Sequence, residues 1–271
     1  MIFTIVTVCY NAEKCVRNTI ENVLSQQRDL FEYIIIDGAS KDKTMDIIDE
    51  YRNHIDIIVS ESDTGVYDAM NKAIDMANGD YINFMNAGDG FVGQEVLKGV
   101  SSLINADKSD VVFGHEMLWL DGFYYQVEAQ PFYAPPYLKH SMGFNHQCCF
   151  VKTQTAKRYL FDLKYKLAAD YNMIMTIYRN KGTFQKVDMP IACFDMNGIS
   201  GIHKFRHDSE VFAIERPNKP IANYIEVRKR AVIREIKRLV KPIAVALFPH
   251  IMEKKRGIDS RYKQLKNKID L

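Results

Sequence analysis

Apolar residues in the first hundred positions run in short blocks of strand length, and polar residues cluster where each block ends. IFTIVTVCY (2–10) is a β-branched run that predicts a strand. Asn11 follows as an N-cap, and Val16, Ile20, Val23 and Leu24 then recur at helical spacing. FEYIIIDGAS (31–40) predicts a second strand, after which Ser40 caps a helix carrying Ile47, Ile48 and Tyr51. IDIIVSES (55–62) predicts a third strand, and VYDAMNKAIDMA (66–77) a helix with Met70, Ala73, Ile74 and Ala77 in one stripe. Gly79 ends that helix, and YINFM (81–85) is a fourth strand.

Strands alternating with helices at this spacing predict βαβ units and a parallel sheet. Strands apolar throughout predict helices on both faces. Ligands of such sheets bind at the carboxyl ends of the strands. Thr7–Asn11, Asp37, Glu61–Asp63 and Asn86–Asp89 all fall there, so four polar clusters converge on one edge.

The pattern changes near residue 110. DVVFGHEMLWL and FYYQVEAQPF predict antiparallel strands about a turn at Asp121-Gly122. PFYAPPYLKH reads as loop, HQCCFVK as a short strand, and AADYNMIMTIYRNKG as a helix closed by Gly182. FQKVDMPIACFDM is a further strand, followed by the loop NGISGIHKFRH. Residues 223–241 predict a basic amphipathic helix, with Ile225, Val232, Ile236, Leu239 and Val240 on one face, broken by Pro242. The organisation expected is one α/β domain over 1–215, with halves at 1–108 and 109–215, and a basic helical tail over 216–271.

Composition adds two things. The 271 residues, 47% hydrophobic and 26% charged, describe an ordinary globular chain, with no apolar run of membrane-spanning length and no basic leader before the first strand. Five cysteines without C-x-x-C spacing suit a reducing compartment. The net charge of +2 conceals an asymmetry: residues 221–271 hold 14 Lys and Arg against 5 Asp and Glu, leaving the rest acidic. Such a tail predicts an anionic partner. A membrane-surface anchor fits Lys and Arg beside an apolar stripe, and dimerisation through the helix is the alternative. Nucleic acid is not expected, because no aromatic interleaving accompanies the charge.

Four segments in order, TVCYN, IIIDGASKDKT, GDYINFMNAGD and AADYNMIM, resemble the inverting family 2 glycosyltransferases that use nucleotide sugars and adopt the GT-A fold. DTGVYDAMNKAI, NAGD, HQ and NGIS are similar to the bacterial surface-polysaccharide, colanic-acid-type members. The resemblance covers about the first two hundred residues. It implies a Rossmann-like, mostly parallel sheet flanked by helices, a UDP-sugar donor, a glycan or lipid-linked acceptor, and Mn²⁺ or Mg²⁺. It also implies a cytoplasmic enzyme held at the inner face of the cell membrane.

The same resemblance distributes roles. Asp37 meets the N–H of a uracil ring, although Asp-Gly after a strand is also a turn signal. Thr7, Tyr10 and Asn11 border the base pocket, with Tyr10 stacking, or simply pack the strand end. Asp68 and Asn71, three apart on one helix face, match nucleotide-contacting positions or form a solvated face. Asn86 and Ala87 sit beside the nucleotide, and Asp89 takes the metal role. Many members carry D-x-D here, whereas this chain reads Asn86-Ala87-Gly88-Asp89. One carboxylate plus a diphosphate suffices for a hard cation, with Asn86 as a neutral ligand or ribose contact. Asp170 is the expected general base, or else a helix cap, with Ala169 leaving room for substrate. His146, Gln147 and Ser200 are expected at the donor or acceptor sugar. His203, Lys204 and Arg206 are expected to close over the diphosphate, with His203 a candidate metal ligand. A nucleotide-sugar-binding pseudoenzyme is the alternative. A nucleotidyltransferase of related fold would need a Gly-rich phosphate loop that TVCYNAEKC lacks.

Overall fold

The computed structural model describes residues 2–105, 108–120, 123–130, 143–194, 203–247 and 262–264. The β-branched blocks form the four strands expected: β1 (Phe3–Cys9), β2 (Phe31–Asp37), β3 (Ile57–Ser60) and β4 (Tyr81–Phe84). They lie in the order β4-β1-β2-β3, all parallel, with Cys9 opposite Asp37 and Phe3 opposite Tyr81. Between them run α1 (Val16–Leu24), α2 (Thr44–Glu50) and α3 (Val66–Met76).

The strand alternation divides two cores. Val6, Val8, Ile34 and Ile36 point to one face, where Met70, Ala73 and Ile74 of α3 cover them. Phe3, Ile5, Tyr33 and Ile35 point to the other, under Val16, Ile20 and Val23 of α1. Each such side chain contributes about 1.5–3 kcal/mol by leaving water, so the site is built on a rigid platform.

The same sheet continues past residue 108. β6 (Val111–Leu120) pairs antiparallel with β7 (Phe123–Val127), as expected, and β8 (Cys149–Lys152) joins β6 to β4. A short β5 (Gly90–Phe91) pairs with β9 (Phe184–Phe194), which also runs parallel to β6. Pro190 of β9 sits opposite His115, and the β6–β9 register shifts on both sides of that pair. Proline donates no ladder bond, so the strand bulges there. The remaining helices are α4 (Val96–Leu103), α5 (Thr153–Tyr159), α6 (Ala169–Arg179), α7 (Lys204–Glu215) and α8 (Pro220–Leu247). A three-residue β10 (Tyr262–Gln264) pairs with β7.

Several local expectations are corrected. Helix α1 begins after Cys15, and Asn11, at φ 49°, belongs to the preceding loop. Helix α2 begins after Lys43, while the Ser40 hydroxyl donates to Asp37. His146–Cys148 form a 3-10 turn before β8. Lys204–His207 open α7 instead of ending a loop. Helix α8 continues through Pro242 to Leu247. The Asp121-Gly122 turn, the loop 131–140 and Ser200 lie outside the described residues. Among the described residues, no helix is long and apolar enough to cross a membrane.

Candidate functional site

The carboxyl edge of the parallel strands is laced by short polar contacts between the loops after β1 and β2. Ala12 N–H donates to Thr44 Oγ1 at 2.7 Å, Asn11 N–H to Ser40 Oγ at 2.8 Å, and Lys41 N–H to Asn11 Oδ1 at 2.8 Å. Asp37 lies beneath this lacing, fully buried. Its Oδ2 accepts from Ser60 Oγ at 2.6 Å and Ser40 N–H at 3.0 Å, and its Oδ1 accepts from the Ser40 hydroxyl. Asp37 therefore organises the loop at the pocket edge and does not present a free acceptor to a base. Tyr10 is 63% exposed. A Cβ on Gly38 would stand 2.7 Å from Asp63 Oδ2 and 3.3 Å from the Tyr10 ring. Glycine at 38 is thus what lets the Tyr10 ring and Asp63 approach the same backbone position.

The second cluster is the turn after β4. Gly88 has φ 102°, open to glycine, and its N–H donates to Thr19 Oγ1 at 2.9 Å. The Thr19 hydroxyl donates in turn to Asp89 O at 2.9 Å, so α1 holds the turn in place. Asp89 Oδ2 accepts from Gln147 Nε2 at 3.0 Å. Burial raises the Asp89 pKa, against the opposing pull of His146 and Gln147. Ala87 extends the β1–β4 pairing through its N–H to Val8 O at 3.2 Å.

The third cluster joins the two halves. Asp170, in the first turn of α6, receives Tyr171 N–H at 2.8 Å and the Tyr67 hydroxyl at 3.1 Å on Oδ1. His146 Nδ1 lies 3.3 Å from Asp170 Oδ2, and His146 Nε2 lies 3.2 Å from Asn86 Nδ2. Asn86 Oδ1 is buried with no hydrogen-bond partner. Burial pushes the Asp170 pKa upward, but His146, the Tyr171 N–H and Tyr67 together hold it below the ordinary value. Burial lowers His146, and Asp170 and Asp89 more than reverse that, leaving its pKa raised. The Asp170 shift favours its ionised form, facing His146 Nδ1.

Other expected site residues have structural tasks. Thr7 is fully buried, its hydroxyl bonded to Met85 O and to Tyr33 OH at 2.8 Å each, so it is not open to a ligand. Asn71 spends its amide on both backbone groups of Phe161, at 2.8 and 2.9 Å. Asp68 accepts from Thr64 N–H at 2.8 Å and Thr64 Oγ1 at 3.0 Å; that backbone bond leads the causes that lower its pKa. Ala169 is fully buried, so it leaves no open room for a substrate. His203, Lys204 and Arg206 are exposed at the start of α7, with Arg206 Nε 3.3 Å from Glu210. A small cavity of about 20 Å³ lies between the first turn of α3 and Leu163, Tyr165 and Lys166.

A family model described as Glycosyl transferase family 2 matches residues 4–163. The chain belongs to glycosyltransferase family 2. A PGL/p-HBAD biosynthesis glycosyltransferase of Mycobacterium bovis (strain BCG / Pasteur 1173P2) is 31% identical over 116 residues, 41% of this chain and 45% of that protein. The chain thus spans under half the length of that relative. Among solved structures, Staphylococcus aureus TarS 1–349 in complex with UDP-GlcNAc superposes with TM-score 0.64 at 18% identity, covering 79% of this chain and 66% of the other. The mannosyltransferase PcManGT from Pyrobaculum calidifontis, in complex with GDP-Man and Mn²⁺, gives 0.63 at 15% identity, covering 91% and 80%. These likenesses show the fold, GT-A: a curled, mostly parallel sheet flanked by helices.

Three residues of this family 2 site carry no local sequence signal. Tyr67 lies within DTGVYDAMNKAI, but nothing local distinguishes it from a packing residue. Glu116 is carried by β6 next to the bulge at His115, accepts from Asn145 Nδ2 at 2.5 Å, and is pushed up to about 7 by burial. Glu210 of α7 accepts the N–H groups of Lys166, Leu167 and Ala168 at 3.1, 2.8 and 3.1 Å.

Among the described residues, no group of three or more His, Cys, Asp or Glu gathers as a metal centre. What remains are two hard oxygens, the Asp89 carboxylate and the orphaned Asn86 Oδ1. That donor set fits a magnesium- or manganese-type ion that takes most of its ligands from a diphosphate and water.

Proposed function

We propose that the chain transfers a sugar from a UDP-sugar to a glycan or lipid-linked glycan acceptor, with inversion, in the assembly of a bacterial surface polysaccharide. The relatives support the class: TarS is named a poly(ribitol-phosphate) beta-N-acetylglucosaminyltransferase, and its solved structures include complexes with UDP-GlcNAc and UDP.

The observation that carries the reading is the setting of Asp170. Its carboxylate is held ionised by His146 and oriented by the Tyr67 hydroxyl. A fixed, ionised carboxylate suits a base that removes one proton from an acceptor hydroxyl. In the step proposed, the acceptor O–H gives its proton to Asp170 while that oxygen forms a bond to the anomeric carbon. The bond from that carbon to the diphosphate oxygen breaks, and UDP leaves with the electron pair. Attack opposite the leaving group inverts the anomeric centre. A divalent ion, held by Asp89 and the Asn86 carbonyl, would supply positive charge against the departing diphosphate. Tyr10 gives the nucleobase a stacking surface beside Asp63, and Lys204 and Arg206 bring positive charge from α7.

The test pairs calorimetry with turnover. UDP, GDP and CMP are titrated with and without Mn²⁺, and UDP release from UDP-GlcNAc and other UDP-sugars is followed in wild type and Asp170→Asn. The variant should bind UDP as wild type does and lose about 10²–10⁴-fold in turnover. Equal turnover would remove Asp170 as the base, and absence of nucleotide binding would overturn the transferase reading.

A further inference from the structure

Helix α8 spans Pro220–Leu247, and among its described residues the buried contacts with α7 gather on one side, with Arg228 reaching over the Phe205 ring at 5.7 Å. Asn223 Nδ2 donates to Phe212 O and Arg216 O at 3.1 and 2.9 Å, Val227 is buried, and the Arg230 guanidinium lies 4.8 Å from the Phe212 ring centre. Arg234 completes the seat by pairing with Asp208. Two residues along an α-helix turn the side chain by about 200°. Ile225 stands two residues from both Asn223 and Val227, and Val232 two from both Arg230 and Arg234. Ile225, Val232 and Ile236 are therefore aimed almost directly away from the body, and Ile221 and Leu239 extend the same stripe. These five are 54% to 76% exposed. Arg228 and Lys229 are exposed among them.

An apolar stripe more than half open to water along five turns calls for an occupant. Its charge setting selects one. Residues 221–271 carry a surplus of nine positive charges, 14 against 5, whereas the other 220 residues are net acidic. A second copy docked stripe to stripe would bring two such surpluses together. An anionic bilayer offers both an apolar interior edge for the isoleucines and negative headgroups for the flanking Lys and Arg. We propose that this outer face of α8 lies in the surface of an anionic lipid bilayer.

The seat gives the docking a defined geometry. Helix α7, on which α8 rests, is fixed to α6 at three places. Glu210 holds the chain entering α6, the Tyr171 hydroxyl donates to Glu215 at 2.8 Å, and Arg179 Nη2 donates to Ile214 O at 2.7 Å. The helix bearing Asp170 is thereby held at a set distance from the lipid surface, and an acceptor anchored in that surface would meet it repeatedly. Docking itself does not depend on the transferase reading.

The test is flotation of the full chain with vesicles of phosphatidylcholine alone and of phosphatidylcholine with 30% phosphatidylglycerol (roughly the anionic fraction that gives a strongly negative surface). Wild type should partition at least tenfold more strongly into the anionic vesicles, and 0.5 M salt should weaken that (Debye length about 4 Å). Ile225→Ser with Ile236→Ser should lower the partition at least tenfold with unchanged circular dichroism and melting temperature. Arg228→Gln with Lys229→Gln should reduce the preference for anionic lipid. Equal flotation with both vesicle types, or a serine variant that floats as wild type does, would overturn the proposal. So would absence of flotation together with a dimer, seen by light scattering, that the serine variant abolishes. Nucleotide titration on the same samples separates this result from the transferase reading.

Discussion

His146 Nδ1 sits 3.3 Å from Asp170 Oδ2, and its Nε2 faces Asn86, so one imidazole joins the expected base to the turn after β4. Burial alone would raise the Asp170 pKa, and His146 is the leading cause that keeps it low. Removing the imidazole leaves the desolvation in place and withdraws its compensation. In His146→Ala the Asp170 pKa should rise, and the acidic limb of turnover against pH should move upward. His146→Asn places an amide donor where Nδ1 stood and should recover part of the loss. His146→Gln mimics Nε2 and should recover less. A profile that does not move in the alanine variant would show that the pair does not set the base.

The carboxylate of Glu210 takes the place of a side-chain cap on α6, where Ala168 offers none. Three backbone N–H groups converge on it. Glu210→Ala strands those donors, at about 1–3 kcal/mol for each one left buried and unmet. The melting temperature should fall, and turnover should fall further than stability requires because Asp170 lies in the loosened turn. Glu210→Gln keeps one acceptor oxygen and should sit between.

Much of this was legible in the sequence because the parallel half is built from local signals. Strands β1 to β4 are mostly apolar, and the polar positions at or after their ends, Tyr10, Asp37, Asp63 and Asp89, fall on one edge by the rule for open sheets. What sequence cannot place is a side chain used across the fold. Thr7 reads as a strand-end polar residue, but its hydroxyl closes a buried link to Met85 and Tyr33. Asp37 reads as a free carboxylate, but Ser40 and Ser60 occupy it. Lys204–His207 read as the end of a loop, whereas they open α7, whose inner face holds Asp208 and Glu210 in the service of α8 and α6 in place of a plain apolar stripe. Pro242 was read as a stop, yet the backbone stays helical to Leu247.

Glu116 makes the pH dependence of stability specific. Burial raises its pKa from 4.5 to about 7. A carboxyl raised in the folded state binds its proton more tightly there than in the unfolded chain, so its contribution to stability declines as pH rises from 4.5 to 7 and is flat above. At about 1.4 kcal/mol per pH unit the interval amounts to roughly 3 kcal/mol. Glu116→Gln, which can still accept from Asn145, removes the titration. Urea unfolding at pH 8 should show the variant more stable by about 2–3 kcal/mol, with near-equality at pH 4.5. Parallel curves for both proteins across that range would contradict the assignment.

Gly79 is required by the approach of two backbones. A Cβ there would lie 2.5 Å from the Phe3 carbonyl carbon and 2.6 Å from Thr4 N. Neither atom is at the end of a flexible side chain, so β1 itself would have to move. The Gly79 N–H also donates to Thr4 Oγ1 at 3.0 Å and to Glu32 Oε1 at 3.1 Å, and Glu32 is buried. Asn78 N–H and the Thr4 hydroxyl converge on the same carboxylate oxygen. Displacing β1 by a methyl group therefore strains the packing and opens the donor set around a buried carboxylate. Gly79→Ala should lose about 3 kcal/mol or more in urea unfolding, at the upper end of overpacking costs. Gly93, where an added Cβ meets nothing within 4 Å, supplies the control: Gly93→Ala should change stability by less than about 0.5 kcal/mol. Equal, small effects at both glycines would mean that the start of β1 is free to shift, and that the platform under the carboxyl edge is softer than its packing implies.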